Sequence, residues 1–335
     1  MVAVPELVCP AGTLAALEAA VDHGADAIYV GLRNETNARN FPGLNLTPTE
    51  LASGVRYAHD RKRKVYLALN TYAQPGRVGL WRQTADQAIG AGVDAVIAAD
   101  LAVLRHCAEH HHAVPRHLSV QGSATTDVAL RFFYERFGIA RAVLPRVLSI
   151  AQVERLCEQS PVAIEVFAFG SLCIMVEGRC QLSSHVTGQS PNCHGVCSPA
   201  EHVRWTELPG NRREVRLGQV LVDRFEPEEP ASYPTLCKGR YQQDGHPFYA
   251  LEEPTSLNTL ELLPRLAQAG VAALKVEGRQ RGPAYVTQVT RVWRGALDAL
   301  KGPQPFRILP EWEAQLSHVS EGLQTTLGPY HRRWQ

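Results

Sequence analysis

Five of the eight cysteines in this 335-residue sequence, Cys173, Cys180, Cys193, Cys197 and Cys237, fall in one stretch rich in Gly, Pro and Ser. Thiolates ligate zinc and iron–sulfur clusters. Cysteines gathered in a segment without helical spacing point to a metal rather than to core packing. The pattern runs CxxxxxxC, later CxxxC, then a long gap to Cys237, with no CxxC pair. Structural zinc sites usually show tight pairs, whereas iron–sulfur clusters accept irregular spacing. The spacing leaves both metals open and leans slightly to iron–sulfur. The scattered Cys9, Cys107 and Cys157 read as small buried apolar residues.

Two other clusters suggest chemistry and lose it on inspection. His110-His111-His112 are consecutive, and consecutive helical residues do not share a face, so the run reads as a solvated helix end. Arg61-Lys62-Arg63-Lys64 reads as a basic helix C-terminus favoured by the helix dipole. No GxGxxG follows the first strand and no GxxxxGK[ST] occurs, so nothing supports a nucleotide cofactor. HExxH and GxSxG are also missing.

The elements that must position the cysteines alternate strand with helix. Apolar runs at Leu7–Cys9, Ala27–Leu32, Val65–Leu69, Ala95–Ala98, Leu118–Gln121, Ala142–Leu144, Ala163–Phe169 and Ala273–Val276 read as strands buried on both faces. Helical spacing lies between them at Leu14–Asp22, Pro48–Arg61, Leu80–Ile89, Leu101–His110, Asp127–Phe137, Ile150–Glu158, Leu262–Ala269 and Tyr285–Leu300. Thr47 before Pro48 and Ser149 before Ile150 are good caps. Parallel crossovers of this kind predict an α/β fold, a (β/α)8 TIM-like barrel, with an open doubly wound sheet as the alternative. The rhythm breaks at 171–255, which reads as an insertion after strand 7 with short strand-like pieces at Val220–Val222 and Phe248–Leu251. The expected division is barrel at 1–170 and 256–300, insertion at 171–255 and a tail at 301–335. Loops after the strands' C-terminal ends form the active face of such barrels, so the insertion is expected over the mouth.

Composition is that of a globular protein, with 45% hydrophobic and 20% charged residues and a net charge of +1. Near-neutral charge argues against binding nucleic acid through a broad basic face. No apolar run reaches the roughly 18 residues of a membrane helix, and no secretory signal is evident. A cytoplasmic location is expected, where thiols stay reduced.

The segment Glu165 to Cys173, EVFAFGSLC, followed by Gly178-Arg179-Cys180-Gln181-Leu182-Ser183, resembles the signature of the collagenase-like U-class peptidase family. Further resemblance is carried by Asn37-Ala38-Arg39, VLPRVLSI (143–150), YPTLCKGRY (233–241), EEPTSLNTLELLP (252–264), VEGRQR (276–281) and the tail EGLQTTLGPYHRRWQ (321–335). It spans essentially the whole chain and is most marked for the family's ubiquinone-biosynthesis branch.

That resemblance implies a 4Fe-4S cluster held by Cys173, Cys180, Cys197 and Cys237, making the insertion iron–sulfur-binding and leaving Cys193 without a role. It implies an oxygen-independent hydroxylase subunit in anaerobic ubiquinone biosynthesis. The implied partners are a UbiV-like protein in a heterodimer and a UbiT-like lipid-carrier protein, with prephenate as hydroxyl donor to a polyprenyl ring intermediate. An anionic donor needs cations nearby. Arg146 after strand six, Lys275 in strand eight and Arg279 after it are candidates, each with a salt bridge to a neighbour such as Glu277 as its competing role. Glu165, Gln121 and His185 are weaker candidates. Leu323, Leu327, Tyr330 and Trp334 of the tail would dock a partner or pack on the chain's own barrel. Alternative readings are hydroxylation of RNA nucleobases, as relatives perform, peptide hydrolysis, or a metal-stabilised scaffold.

Overall fold

The computed structural model describes residues 3–173, 175 and 179–331. From the N-terminus, β1 (Glu6–Pro10), α1 (Leu14–Asp22), β2 (Ala27–Val30), α2 (Pro48–Asp60), β3 (Lys64–Leu69), α3 (Val78–Gly90), β4 (Ala95–Ala98), α4 (Leu101–His110), β5 (Arg116–Leu118), α5 (Asp127–Phe137), β6 (Ile139–Val143), α6 (Ile150–Gln159) and β7 (Ala163–Ser171) alternate as the periodicity requires. The insertion holds α7 (Gln181–Thr187), α8 (Pro191–His194), β8 (Val203–Leu208), β9 (Arg212–Leu217), β10 (Val220–Phe225), β11 (Arg240–Gln243) and β12 (His246–Tyr249). The chain closes with β13 (Ser256–Asn258), α9 (Leu263–Gln268), β14 (Ala273–Val276), α10 (Pro283–Lys301), α11 (Pro310–Val319) and β15 (Thr325–Thr326).

Strands β1 to β7 pair in sequence and in parallel, and β14 pairs in parallel with both β7 and β1. The eight therefore form a closed (β/α)8 barrel rather than an open sheet. Helix stripes cover it. In α10 the buried Val286, Val289, Val292, Trp293, Ala296 and Leu297 recur at helical spacing and pack on the barrel wall. Thr47 and Ser149 each form a full capping box.

The barrel interior is only partly apolar. Val8, Ala27, Tyr29, Tyr66, Ala95, Ile97 and Ala273 form one cluster inside it. Beside them runs an ionic chain that crosses the barrel. Glu165 accepts from Lys275 at 2.7 Å and from Arg141 at 3.0 Å, and Arg141 reaches Glu6 at 2.7 Å. This polar lining corrects two strand positions. β5 lies at Arg116–Leu118, because His117 turns inward against Tyr66. Gln121 sits instead in a 3-10 turn at Val120–Gly122. β6 begins earlier than Ala142 because Arg141 faces the same interior.

The insertion has its own small core of Val215, Leu217, Val222, Phe225 and Leu236. It is built on an antiparallel meander of β8, β9 and β10, beside the hairpin of β11 and β12. Asp244 and Gly245, at φ +52° and +81°, make the left-handed two-residue turn that such a hairpin needs. β13 runs antiparallel on the end of β7, and β15 pairs with β13. The tail thus packs on the chain's own barrel: Tyr330 is buried, Leu327 packs against the core and Leu323 is exposed. Trp334 and the signature's Gly178 lie outside the described residues. Among the described residues no helix is long and apolar enough to cross a membrane.

Candidate active site at the barrel mouth

A cavity of about 660 Å³ opens at the C-terminal ends of the barrel strands. Its floor includes Tyr29, Ile97, Val143, Phe167 and Lys275 from the strands, and its roof includes Val215, Phe225 and Tyr233 from the insertion. Cys173, Cys180, Cys197 and Cys237 all line it. Cys193 does not. It is half-buried on α8, and burial and then Asp100 raise its thiol pKa. Cys9 and Cys107 are buried, and Cys157 packs against the core.

Each cavity cysteine is placed by local structure. Cys173 follows the end of β7. Cys180 caps α7, its sulfur accepting from the Ser183 amide at 3.4 Å. The Ser183 hydroxyl donates to the Cys197 carbonyl and ties that segment to α7. Cys237 lies in a 3-10 turn, its thiol 3.8 Å from the Thr235 hydroxyl. Barrel loops hold the segment between them. The Arg39 amide donates to Gly195 O at 2.7 Å and the Tyr72 amide to Asn192 O at 2.9 Å.

Four thiols from four segments are a soft donor set with no carboxylate or imidazole in it. Soft thiolates select iron–sulfur clusters or zinc, so the residues fit an iron–sulfur group. Burial raises the thiol pKa of Cys180 and Cys237. A bound metal offsets this, because coordination deprotonates a thiol.

Cations ring the same cavity. Arg146 is buried, stacks 4.3 Å over the Phe167 ring and donates to the Ser171 carbonyl. Arg279 is buried and donates to Asn37 Oδ1 at 2.8 Å and to the Ala38 carbonyl. Burial pushes its guanidinium down to about 10. Its partners are neutral oxygens, so it is not the mate of Glu277. That role belongs to Arg39, at 3.2 Å, which carries a positive φ of +73° and lies near Cys197 and Cys173. Burial would raise the Glu277 carboxyl, but Arg39, Arg146 and Arg281 together hold it below the usual range. Arg39 lies inside the Asn37-Ala38-Arg39 segment singled out in the sequence, yet that segment alone did not mark it as a site residue.

The remaining candidates divide. Lys275 lines the cavity 4.0 Å over the Tyr29 ring, and its ammonium is committed to Glu165. Burial keeps it below its ordinary range even so. Glu165 is fully buried beneath it and does not line the cavity. Gln121 is buried in the lining, and its side-chain oxygen has no hydrogen-bond partner among the described residues. His185 is exposed on α7 and does not line the cavity.

Gly12 sets the spacing between β1 and the loop after β14, since a methyl there would run into the Arg279 carbonyl oxygen. Gly12→Ala is expected to destabilise the fold by about 1–3 kcal/mol by overpacking and to weaken Arg279-dependent binding. Urea unfolding and substrate titration check this.

The chain is similar to known proteins over most of its length. The model of peptidase family U32 matches residues 12–332. A Methanocaldococcus jannaschii protein described as an uncharacterized protease is 31% identical, over 95% of this chain and 71% of its own. The tRNA hydroxylation protein P of Escherichia coli is 30% identical, over 95% of this chain and 72% of its own. The 23S rRNA 5-hydroxycytidine synthase of Escherichia coli is 27% identical, over 88% of this chain and 39% of its own. With its signature cysteines on one cavity and the match running almost from end to end, the chain belongs to peptidase family U32.

Proposed function

We propose that this chain is a UbiU-type, iron–sulfur-carrying subunit of an oxygen-independent hydroxylase. In this reading it acts with a UbiV-like partner on the ring of a ubiquinone precursor and takes the hydroxyl group from an anionic donor such as prephenate. A UbiT-like carrier would present the lipid. The observation that carries the reading is the joint lining of one barrel-mouth cavity by four cysteines and by Arg39, Arg146 and Arg279. The names of two relatives, a tRNA hydroxylation protein and a 23S rRNA 5-hydroxycytidine synthase, support the reaction class.

Cys173, Cys180, Cys197 and Cys237 would hold the 4Fe-4S cluster, which supplies one-electron chemistry when bound. Arg279 and Arg146 orient a carboxylate, since guanidinium groups bind it in a planar fork. Phe167, Tyr29 and Phe41 give the ring apolar walls. The unpartnered oxygen of Gln121 accepts a hydrogen bond from a substrate hydroxyl. The insertion roofs the mouth and limits water.

A second reading, hydroxylation of an RNA nucleobase, is favoured by the names of the relatives. Peptide hydrolysis has less support: among the described residues lining the cavity, none is a histidine. Anaerobic purification followed by metal analysis is expected to give about four irons and four sulfides per chain. Zinc without sulfide would reject the cluster. Deleting the gene is expected to abolish ubiquinone synthesis without oxygen and spare it with oxygen. Normal anaerobic quinone together with loss of a hydroxylated nucleoside by mass spectrometry would transfer the activity to RNA.

A further inference from the structure

The structure assigns a second metal site, for a single divalent ion of the zinc class, to the α3–α4 surface. Its ligands are Asp86, His106 and His111. The two Nε2 atoms lie 2.7 Å and 2.6 Å from the same Asp86 Oδ1, and all three donor atoms fall within 4.8 Å of one another.

Sequence spacing conceals this group. His106 and His111 are five residues apart and would point away from each other on a continuous helix. But α4 ends at His110, and His111 adopts φ −133° and ψ 54° as its C-cap. That turn swings its ring back beside His106, with the ring centroids 5.7 Å apart. Asp86 reaches them from the neighbouring α3. The His110 ring lies 4.8 Å from that of His106, tilted 51° to it.

The chemistry favours a borderline-soft cation. Two imidazoles and one carboxylate make a zinc donor set with an outward position left for water. Tetrahedral coordination with bonds of about 2.0–2.1 Å separates donors by roughly 3.3 Å, so each imidazole needs to move away from the Asp86 oxygen by less than about 1 Å. The site also sits at the C-terminal end of a ten-residue helix, where the dipole favours positive charge. The nearby Arg105 is already paired with Glu109 at 2.7 Å, which lowers its repulsion of an incoming ion. Bound metal would pin the end of α4 to α3.

The test compares the anaerobically purified full chain with His106→Gln, His111→Gln and Asp86→Asn. Each is titrated with Zn2+ by calorimetry, followed by zinc analysis after dialysis. The unsubstituted protein is expected to take up one zinc per chain more than each variant, or to bind that ion at least tenfold more tightly. It is also expected to gain thermal stability with Zn2+ that the variants lack. Because wild type and variants share the same cysteines, zinc at the barrel mouth cancels in the comparison. Equal stoichiometry, affinity and thermal shift in wild type and variants would overturn the assignment and leave the three groups as hydrogen-bonded side chains only.

Discussion

Replacing Cys173, Cys180, Cys197 or Cys237 singly with Ala is expected to drop bound iron from about four per chain to below about one. Hydroxylation is expected to fall by at least about 100-fold, since loss of even an outer-shell partner costs 10–100-fold at a metal site. The effect should be local. The barrel core is separate from the insertion's own core, so circular dichroism should keep its helical signal. Cys193→Ala is the control, because Cys193 lies off the cavity. It should retain the iron. Iron lost with Cys193→Ala and kept with Cys197→Ala would show that the ligand set is wrong.

Glu165→Gln is expected to destabilise the fold by about 3–5 kcal/mol, the usual effect of leaving one buried charge of a pair uncompensated. Glu165 is fully buried between Lys275 and Arg141, and the amide cannot balance either cation. Chemical denaturation at neutral pH measures this directly. The same interior sets an acid limit. Burial pushes the carboxyl of Glu165 up, but Lys275 and Arg141 more than offset this and hold it down at about 2. Burial and then Arg141 hold the His117 ring down at about 3. A carboxyl with a depressed folded pKa contributes stability above its unfolded value and loses it as pH falls toward the folded one. A buried neutral histidine acts in the same direction, because unfolding lets it bind a proton. Stability should therefore begin to fall below about pH 6.5 through His117 and steepen below about pH 4.5 through Glu165. His117→Asn should flatten the upper part of that slope and leave the lower part. An unchanged upper slope would reject the buried neutral imidazole.

The strands that proved easiest to read carry apolar side chains on both faces. The apolar runs Ala95–Ala98 and Ala273–Val276 coincide with β4 and β14, although β14 contains Lys275. β5 starts before its apolar signal, because its inward residue is His117 and the apolar run begins only at Leu118. The cavity cysteines were legible because thiols are rarely clustered without cause. Arg39 and Glu277 were harder to see. A charged residue in a loop looks the same in sequence whether it faces solvent or a partner 238 positions away.

Sequence alone determined an α/β fold of repeated strand–helix units, since unbroken apolar runs separated by helical spacing must bury both faces of each strand; the pairing of β14 with both β7 and β1 decided that the sheet closes. The sequence also marked five clustered cysteines as a metal site, and resemblance to the family narrowed them to four candidate ligands. Only the tertiary structure decided which cations face the same cavity as those thiols. It also brought Asp86, His106 and His111 together. These outcomes depend on where chain ends and loops meet across the closed sheet. Burial and Coulomb attraction act on distances in space, and residue spacing along the chain does not record those distances.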